Sequence, residues 1–259
     1  MRRGIAFNIA LFVLLTNFSF AQSILPRINN VAFIPGEVLE YRVHYGFIDA
    51  GEARLEVSKQ YKDFGGRACY HVIGTGKSMG AFDWFFKVRD SYESYIDTQA
   101  LVPWLFIRRV NEGGYIINQN VSFNHFKKTA TSEKKPIDTP SRVQDLVSSI
   151  YYARTIDFSK AVPGDTFVIH TYLDDETFPL TIKFIGREKV KTKKGTFRCI
   201  AFRPMLLEGR VFKEKEGMTV WITDDKNRIP IRAQANLLIG AIKMDLKGYS
   251  GLANPVAKE

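Results

Sequence analysis

The chain has 259 residues, 45% of them hydrophobic, with 37 Lys and Arg against 27 Asp and Glu, a formal net charge of +10. Two cysteines, Cys69 and Cys199, are too few for a disulfide scaffold. No CxxC spacing occurs and His44, His71, His125 and His170 make no HxH or HxxxH pair, so no metal site and no cofactor is implied.

In chain order, Arg2 and Arg3 precede an apolar run over 5–18, and Ser19-Phe20-Ala21 places small residues where a signal peptidase cuts. The run is shorter than the roughly 20 residues that span a bilayer. The expectation is a signal peptide over 1–21, with Gln22 rather than a lipidated Cys at the new N-terminus. Cleavage removes two Arg and lowers the net charge to +8. The mature protein, 22–259, is then expected to be soluble and periplasmic or otherwise exported, which argues against nucleic acid as the partner of a basic chain.

The mature chain contains an internal repeat. Pro35-Gly36-Glu37 opens an alternating run at 38–45, and Pro163-Gly164-Asp165 opens another at 166–173. Cys69 and Cys199, Tyr95-Ile96-Asp97 and Trp221-Ile222-Thr223, and Val102-Pro103 and Ile229-Pro230 follow in the same order, at offsets of 126 to 130. The reading is a single β domain made of one copy at about 35–126, a linker and helix over 127–162, and a second copy at about 163–250. Leu39, Tyr41, Val43 and Tyr45, and Phe178, Leu180, Ile182 and Phe184, alternate with polar residues as half-buried strands do. Ile229, Ile231, Ala233, Ala235 and Leu237 form one face of a strand that begins at Pro230, where proline is tolerated. Glycine- and aspartate-rich turns at 63–66, 111–114, 193–195 and 224–227 are too short for parallel crossovers and so predict antiparallel neighbours.

The stretch His71–Ser78 ends in GTGKS, the ending of a phosphate-binding P-loop. His71 stands where that motif needs glycine, and the repeat places the stretch at a strand end, with Lys77 in solvent. Residues 79–86 look like a poor helix start. Residues 125–136 are polar and lysine-rich and read as a mobile loop. Thr139 as N-cap and Pro140 in the first turn predict a helix that buries Val143, Leu146, Val147, Ile150 and Tyr151 on one face. Asp174-Asp175-Glu176 reads as a hairpin tip rather than a Ca²⁺ loop, and Lys189, Lys191, Lys193 and Lys194 as a solvated basic hairpin. The fold class expected is all-β with one helix: two tandem antiparallel meanders forming a large curved sheet or incomplete barrel, with the helix packed on its face. In one such sheet equivalent strands of the two copies lie far apart, so Cys69 and Cys199 are expected to be buried free thiols.

The segment 35–57, with its PGExLxYxVxYG and GEARLEV elements, the strand at Pro103, the mid-chain helix, and Val220-Trp221-Ile222-Thr223-Asp224-Asp225 leading into Arg228-Ile229-Pro230-Ile231 resemble an exported bacterial family known as domain of unknown function 3108. The resemblance implies a β-rich envelope protein and carries over no activity and no catalytic residue. Asp224 and Asp225 themselves read as the start of a turn.

No GxSxG elbow occurs and no serine near a histidine has an evident third partner, so the sequence points away from an enzyme. Phe82, Trp84, Phe85, Phe86, Tyr92, Tyr95, Trp104 and Phe106 crowd into one part of the first copy. They read either as core or as the lining of an apolar cavity between sheet and helix. The ligand-binding residues expected are Trp84, Phe85, Phe86, Trp104, Phe106 and Trp221. The function expected is a non-enzymatic periplasmic protein that binds or carries a hydrophobic envelope ligand such as an acyl chain. The alternative is a structural or adaptor protein whose basic face meets anionic lipid, glycan or a protein partner.

Overall fold

The computed structural model describes residues 25–205, 217–236 and 240–259. The expected signal peptide and Leu237 lie outside these residues. The elements in chain order are β1 (Val38–Tyr45), β2 (Ile48–Val57), β3 (Lys62–Phe64), β4 (Arg67–Ser78), α1 (Gly80–Phe85), β5 (Arg89–Asp97), β6 (Pro103–Glu112), β7 (Tyr115–Asn124), β8 (Thr129–Thr131), β9 (Ile137–Asp138), α2 (Leu146–Ala153), β10 (Thr166–Leu173), β11 (Glu176–Thr192), β12 (Gly195–Met205), β13 (Met218–Thr223), β14 (Pro230–Asn236) and β15 (Ala241–Ser250).

All fifteen strands belong to one sheet, in the order β10-β11-β12-β13-β14-β15-β1-β2-β4-β5-β6-β7-β8-β9, with β3 beside β4. Every pair is antiparallel, as the short turns demand. The two meanders are thus joined in reverse order. The first strand of the chain, β1, pairs with its last, β15, through Leu39↔Tyr249 and Val43↔Met244, and this removes two free edges at once. GTGKS is the end of β4, and Lys77 is exposed there.

The sheet curves until its two ends meet through side chains, without strand closure. The β10–β11 turn, Asp174-Asp175, has φ of 53° and 63°, the left-handed pair that tight hairpins use. Asp174 accepts from Arg108 Nη1 at 2.6 Å, and Asp175 accepts from Ser132 Oγ at 2.6 Å and pairs with Lys134 at 2.7 Å. Tyr172 meets Phe123 edge to face at 5.5 Å. The backbone of Gln144 bonds the outer edge of β10 at His170 and Tyr172.

Helix α2 starts later than its sequence suggests. Arg142 has φ of +62°, which interrupts a helix begun at Pro140, and Gln144 is committed to β10. Asp145 is the N-cap instead, in a capping box with Ser148. Val143, Val147 and Tyr151 are buried as expected, but Ile150 is 40% exposed. Residues 125–136, expected to be a loop, contribute β8 to the sheet. A second helix, α1, occupies the stretch that looked unsuited to one.

The interior is packed with rings. Phe33, Phe106, Phe123, Tyr151 and Tyr172 fill the space between α2 and the first meander, and Phe158, Phe184 and Phe202 stack in the second. Both cysteines are buried and unbonded, six strand positions apart. The sequence landmarks Pro35-Gly36-Glu37 and Asp224–Pro230 converge on Arg154, at the end of α2. Its guanidinium is 2% exposed and binds Glu37 through two contacts of 2.5 and 2.7 Å, the Asn227 carbonyl at 2.9 Å and the Ala32 carbonyl at 3.0 Å. These motifs therefore staple the fold from inside.

Candidate functional site

Helix α1 bridges β4 and β5 and buries none of its residues. It is held from below by polar contacts. Ser78 Oγ donates to Asp83 at 2.6 Å and accepts from the Val88 N–H at 2.8 Å, and Arg89 grips both Asp83 oxygens at 2.7 and 3.0 Å. The bonds from Arg89, then from Ser78, hold the Asp83 carboxyl down at about 2. With the helix anchored through polar groups, its rings are left in solvent: Trp84 is 84% exposed, Phe85 75% and Phe86 53%. An apolar helix with no buried face is the reverse of an ordinary amphipathic one.

Two neighbouring turns extend this surface. Phe47, in the β1–β2 turn, is fully exposed and Ile48 follows it; Tyr115 and Ile116 begin β7 just after the β6–β7 turn. Met79 N–H bonds the Ala50 carbonyl, tying α1 to β2. Phe86 lies against Gly113, where a Cβ would come within 2.5 Å of the ring, so only glycine admits it. The four rings Phe47, Trp84, Phe85 and Phe86 together expose on the order of 600 Å², at the upper limit of patches on ordinary monomers. Lys77, Lys87, Arg89 and Arg109 are exposed on the flanking strands and connections.

The other three residues expected to bind ligand lie elsewhere. Phe106 is 1% exposed, in the core beneath α2. Trp104 would share its face by simple alternation, but β6 bulges there: Pro103 opposes Ile96 and Leu105 opposes Tyr95, so Trp104 is the extra residue. It packs with His125 and Phe126, under Arg67, and donates from Nε1 to Asp97 at 3.1 Å. Trp221 is half-buried in the second meander and donates to Glu188 at 2.5 Å. The six residues thus do not line one cavity, and the volume under the helix is filled by the protein's own side chains. Sequence reasoning missed Phe47, Ile48, Tyr115 and Ile116 because they sit apart in the chain. The signal available was that each lies at a turn between strands, where an apolar residue has no core to enter.

The remaining titratable clusters are structural. Asp97 is buried and accepts from Arg67, the N–H groups of Gln99 and Ala100, and Trp104. Asp145, fully buried, is pushed up to about 6 by burial, against the bonds it accepts from Ser94 and Ser148. No group of three or more metal-ligating side chains occurs among the described residues. No helix among them is long and apolar enough to cross a membrane.

No curated protein sequence matches the chain. Among solved structures it is similar to a beta-barrel-like protein of domain of unknown function DUF1849 from Brucella abortus, at 9% identity and a TM-score of 0.56, over 85% of this chain and 98% of that one. That likeness supports the incomplete-barrel architecture. Weaker likenesses are to proteins named as a putative lipoprotein from Parabacteroides distasonis (12% identity, TM-score 0.40, 86% and 99% covered) and exported protein with YmcC-like fold from Bacteroides fragilis (10%, 0.36, 88% and 100%). Residues 40–247 match the family described as Protein of unknown function (DUF3108), and the chain belongs to that family.

Proposed function

We propose that the protein binds a hydrophobic component of the bacterial envelope, such as an acyl chain, at the exposed aromatic rim and without catalysing a reaction. The observation that carries this is α1: Trp84 and Phe85 stand in water on a helix that buries nothing, and the half-exposed Phe86 follows at its C-cap. Transferring each ring to an apolar phase is worth roughly 2–3 kcal/mol. Rings of this kind, flanked by Lys and Arg, suit the boundary between acyl chains and headgroups. A signal peptide, expected over 1–21, would bring the protein to the compartment where such components are found. The site is an external rim, so the interior packing of the barrel presents no obstacle to it.

The test follows from Trp84. In a Trp104→Phe/Trp221→Phe background, Trp84 is the sole tryptophan, and adding phosphatidylcholine vesicles should shift its emission to the blue. Trp84→Ala/Phe85→Ala should abolish co-flotation with the vesicles while leaving unfolding free energy within about 1 kcal/mol of wild type, as for other surface changes. A wild-type protein that neither floats with vesicles nor binds a fluorescent fatty acid would refute the reading.

A further inference from the structure

We infer that the ligand taken at the rim is an anionic amphiphile whose phosphate-type headgroup sits in a trough on the outward face of the sheet, just below α1. This rests on the rim reading above. The trough, about 580 Å³, is laid out by strand register. One row of outward residues runs Glu40–Arg54–Thr75–Ser91–Arg109 across β1, β2, β4, β5 and β6. The next row, two residues along each strand and so about 7 Å away, runs Arg42–Glu52–Lys77–Arg89. The first row is hollow at its centre because the short Thr75 and Ser91 lie between two arginines. The floor between the rows is the backbone at Tyr41, Ala53, Gly76 and Asp90.

The chemistry of the lining selects the ligand. Five cations surround the hollow: Arg54, Lys77, Arg89, Arg109 and Lys247. Asp90 also borders it, but it is in register with Gly76 on the opposite face, where its carboxylate accepts from the Asn111 N–H. The carboxylates that face these cations are those of Glu40 and Glu52 inside the trough, together with Glu56, which binds Arg54 at 2.8 Å, and Asp83, which binds Arg89. Glu40 and Glu52 are used to hold Arg54, Lys77 and Lys247 in position. Arg109 donates only to the carbonyls of Arg108 and Gln119 and to Asn120 Oδ1, and has no carboxylate partner among the described residues. The Thr75 and Ser91 hydroxyls at the centre make no hydrogen bond among the described residues, and so are free to donate. Guanidinium, ammonium and hydroxyl donors converging on a hollow suit a phosphate group. Arg89 lines the trough and also grips Asp83 of α1, so a headgroup bound there would leave its chains at Trp84 and Phe85.

Binding is compared on vesicles of phosphatidylcholine and on vesicles containing 30 mol% (about one in three) phosphatidylglycerol, at 0.15 M salt, where long-range attraction is largely screened. Wild type should prefer the anionic vesicles by at least about tenfold, the effect of losing one charge-assisted contact. Lys77→Gln/Arg109→Gln, both exposed, should remove that preference, so that the two kinds of vesicle are bound with equal affinity. A variant with Lys189, Lys191, Lys193 and Lys194 changed to Gln, at the opposite end of the sheet, should keep it. Inorganic phosphate separates the sources. If it shifts the Thr75 and Ser91 amide resonances and competes with the vesicles, the trough takes any phosphate. If it does neither while the preference stands, the trough takes the lipid headgroup. Equal affinity of the wild type for the two vesicles, or a preference that survives Lys77→Gln/Arg109→Gln, would overturn the inference while sparing the rim. Binding to neither vesicle would overturn the rim, and the phosphate titration of the amides would then decide the trough alone.

Discussion

Replacing Glu37 by Gln keeps the shape of the side chain but leaves Arg154 charged in a site where it is 2% exposed. In the native protein this guanidinium donates four hydrogen bonds, two of them to the carboxylate, and the rings of Phe33 and Tyr151 lie 5.4 and 5.0 Å from it. Among the described residues only Glu37 supplies compensating charge at the guanidinium, and Tyr41 and Tyr151, whose pKa values burial pushes up, cannot take its place. Removing one member of such a buried pair costs about 3–5 kcal/mol. For a domain of this size that corresponds to a fall in Tm of roughly 6–20 °C. Urea unfolding followed by circular dichroism measures it, with an unchanged slope showing that the native state is otherwise intact. Glu37→Gln/Arg154→Met removes the stranded charge and should recover part of the loss. A single substitution costing under about 1 kcal/mol, or a double variant worse than the sum of both singles, would refute the view that Glu37 serves to neutralise Arg154.

Three further outcomes are expected. Burial pushes the Cys69 and Cys199 thiols up to about 12, so neither should react with iodoacetamide at pH 8 in the folded protein, and both should in urea without reductant; mass measurement decides it, and an unlabelled unfolded monomer would contradict two free thiols. Asp145 is held at about 6 in the fold, mainly by burial, against an ordinary 3.8, so from about pH 4 to pH 6 the folded state binds more protons than the unfolded one and stability must fall as pH rises. Compared with Asp145→Asn, wild type should lose on the order of 3 kcal/mol across that window, and parallel pH profiles for the two would disprove it. Changing Lys189, Lys191, Lys193 and Lys194 together to Gln should alter unfolding free energy by less than about 0.5 kcal/mol per site, since all four are exposed; a larger loss would show that the hairpin supports the fold.

The architecture was legible in the sequence because it rests on local signals. Alternation in Leu39–Tyr45 and Phe178–Phe184 marks strands, glycine and aspartate turns force antiparallel neighbours, and recurring landmarks reveal two meanders of the same order. The free thiols followed from the same reasoning, since equivalent strands in a continuous sheet cannot touch. What the sequence alone left open depended on long-range geometry. That β1 pairs with β15, and that the sheet ends meet through Asp174 and Asp175, depends on curvature, to which every strand contributes. The start of α2 moved because Gln144 is held by a strand distant in sequence. The expected binding residues were separated by two local events: a bulge that re-aims Trp104 away from the face of Phe106, and polar anchoring of α1 through Ser78, Asp83 and Arg89, which leaves Trp84, Phe85 and Phe86 outside. A run of aromatic residues says only that apolar surface must be covered by something. Whether the cover is the protein's own core or a ligand depends on which way the backbone turns each ring, and that is set by the tertiary fold.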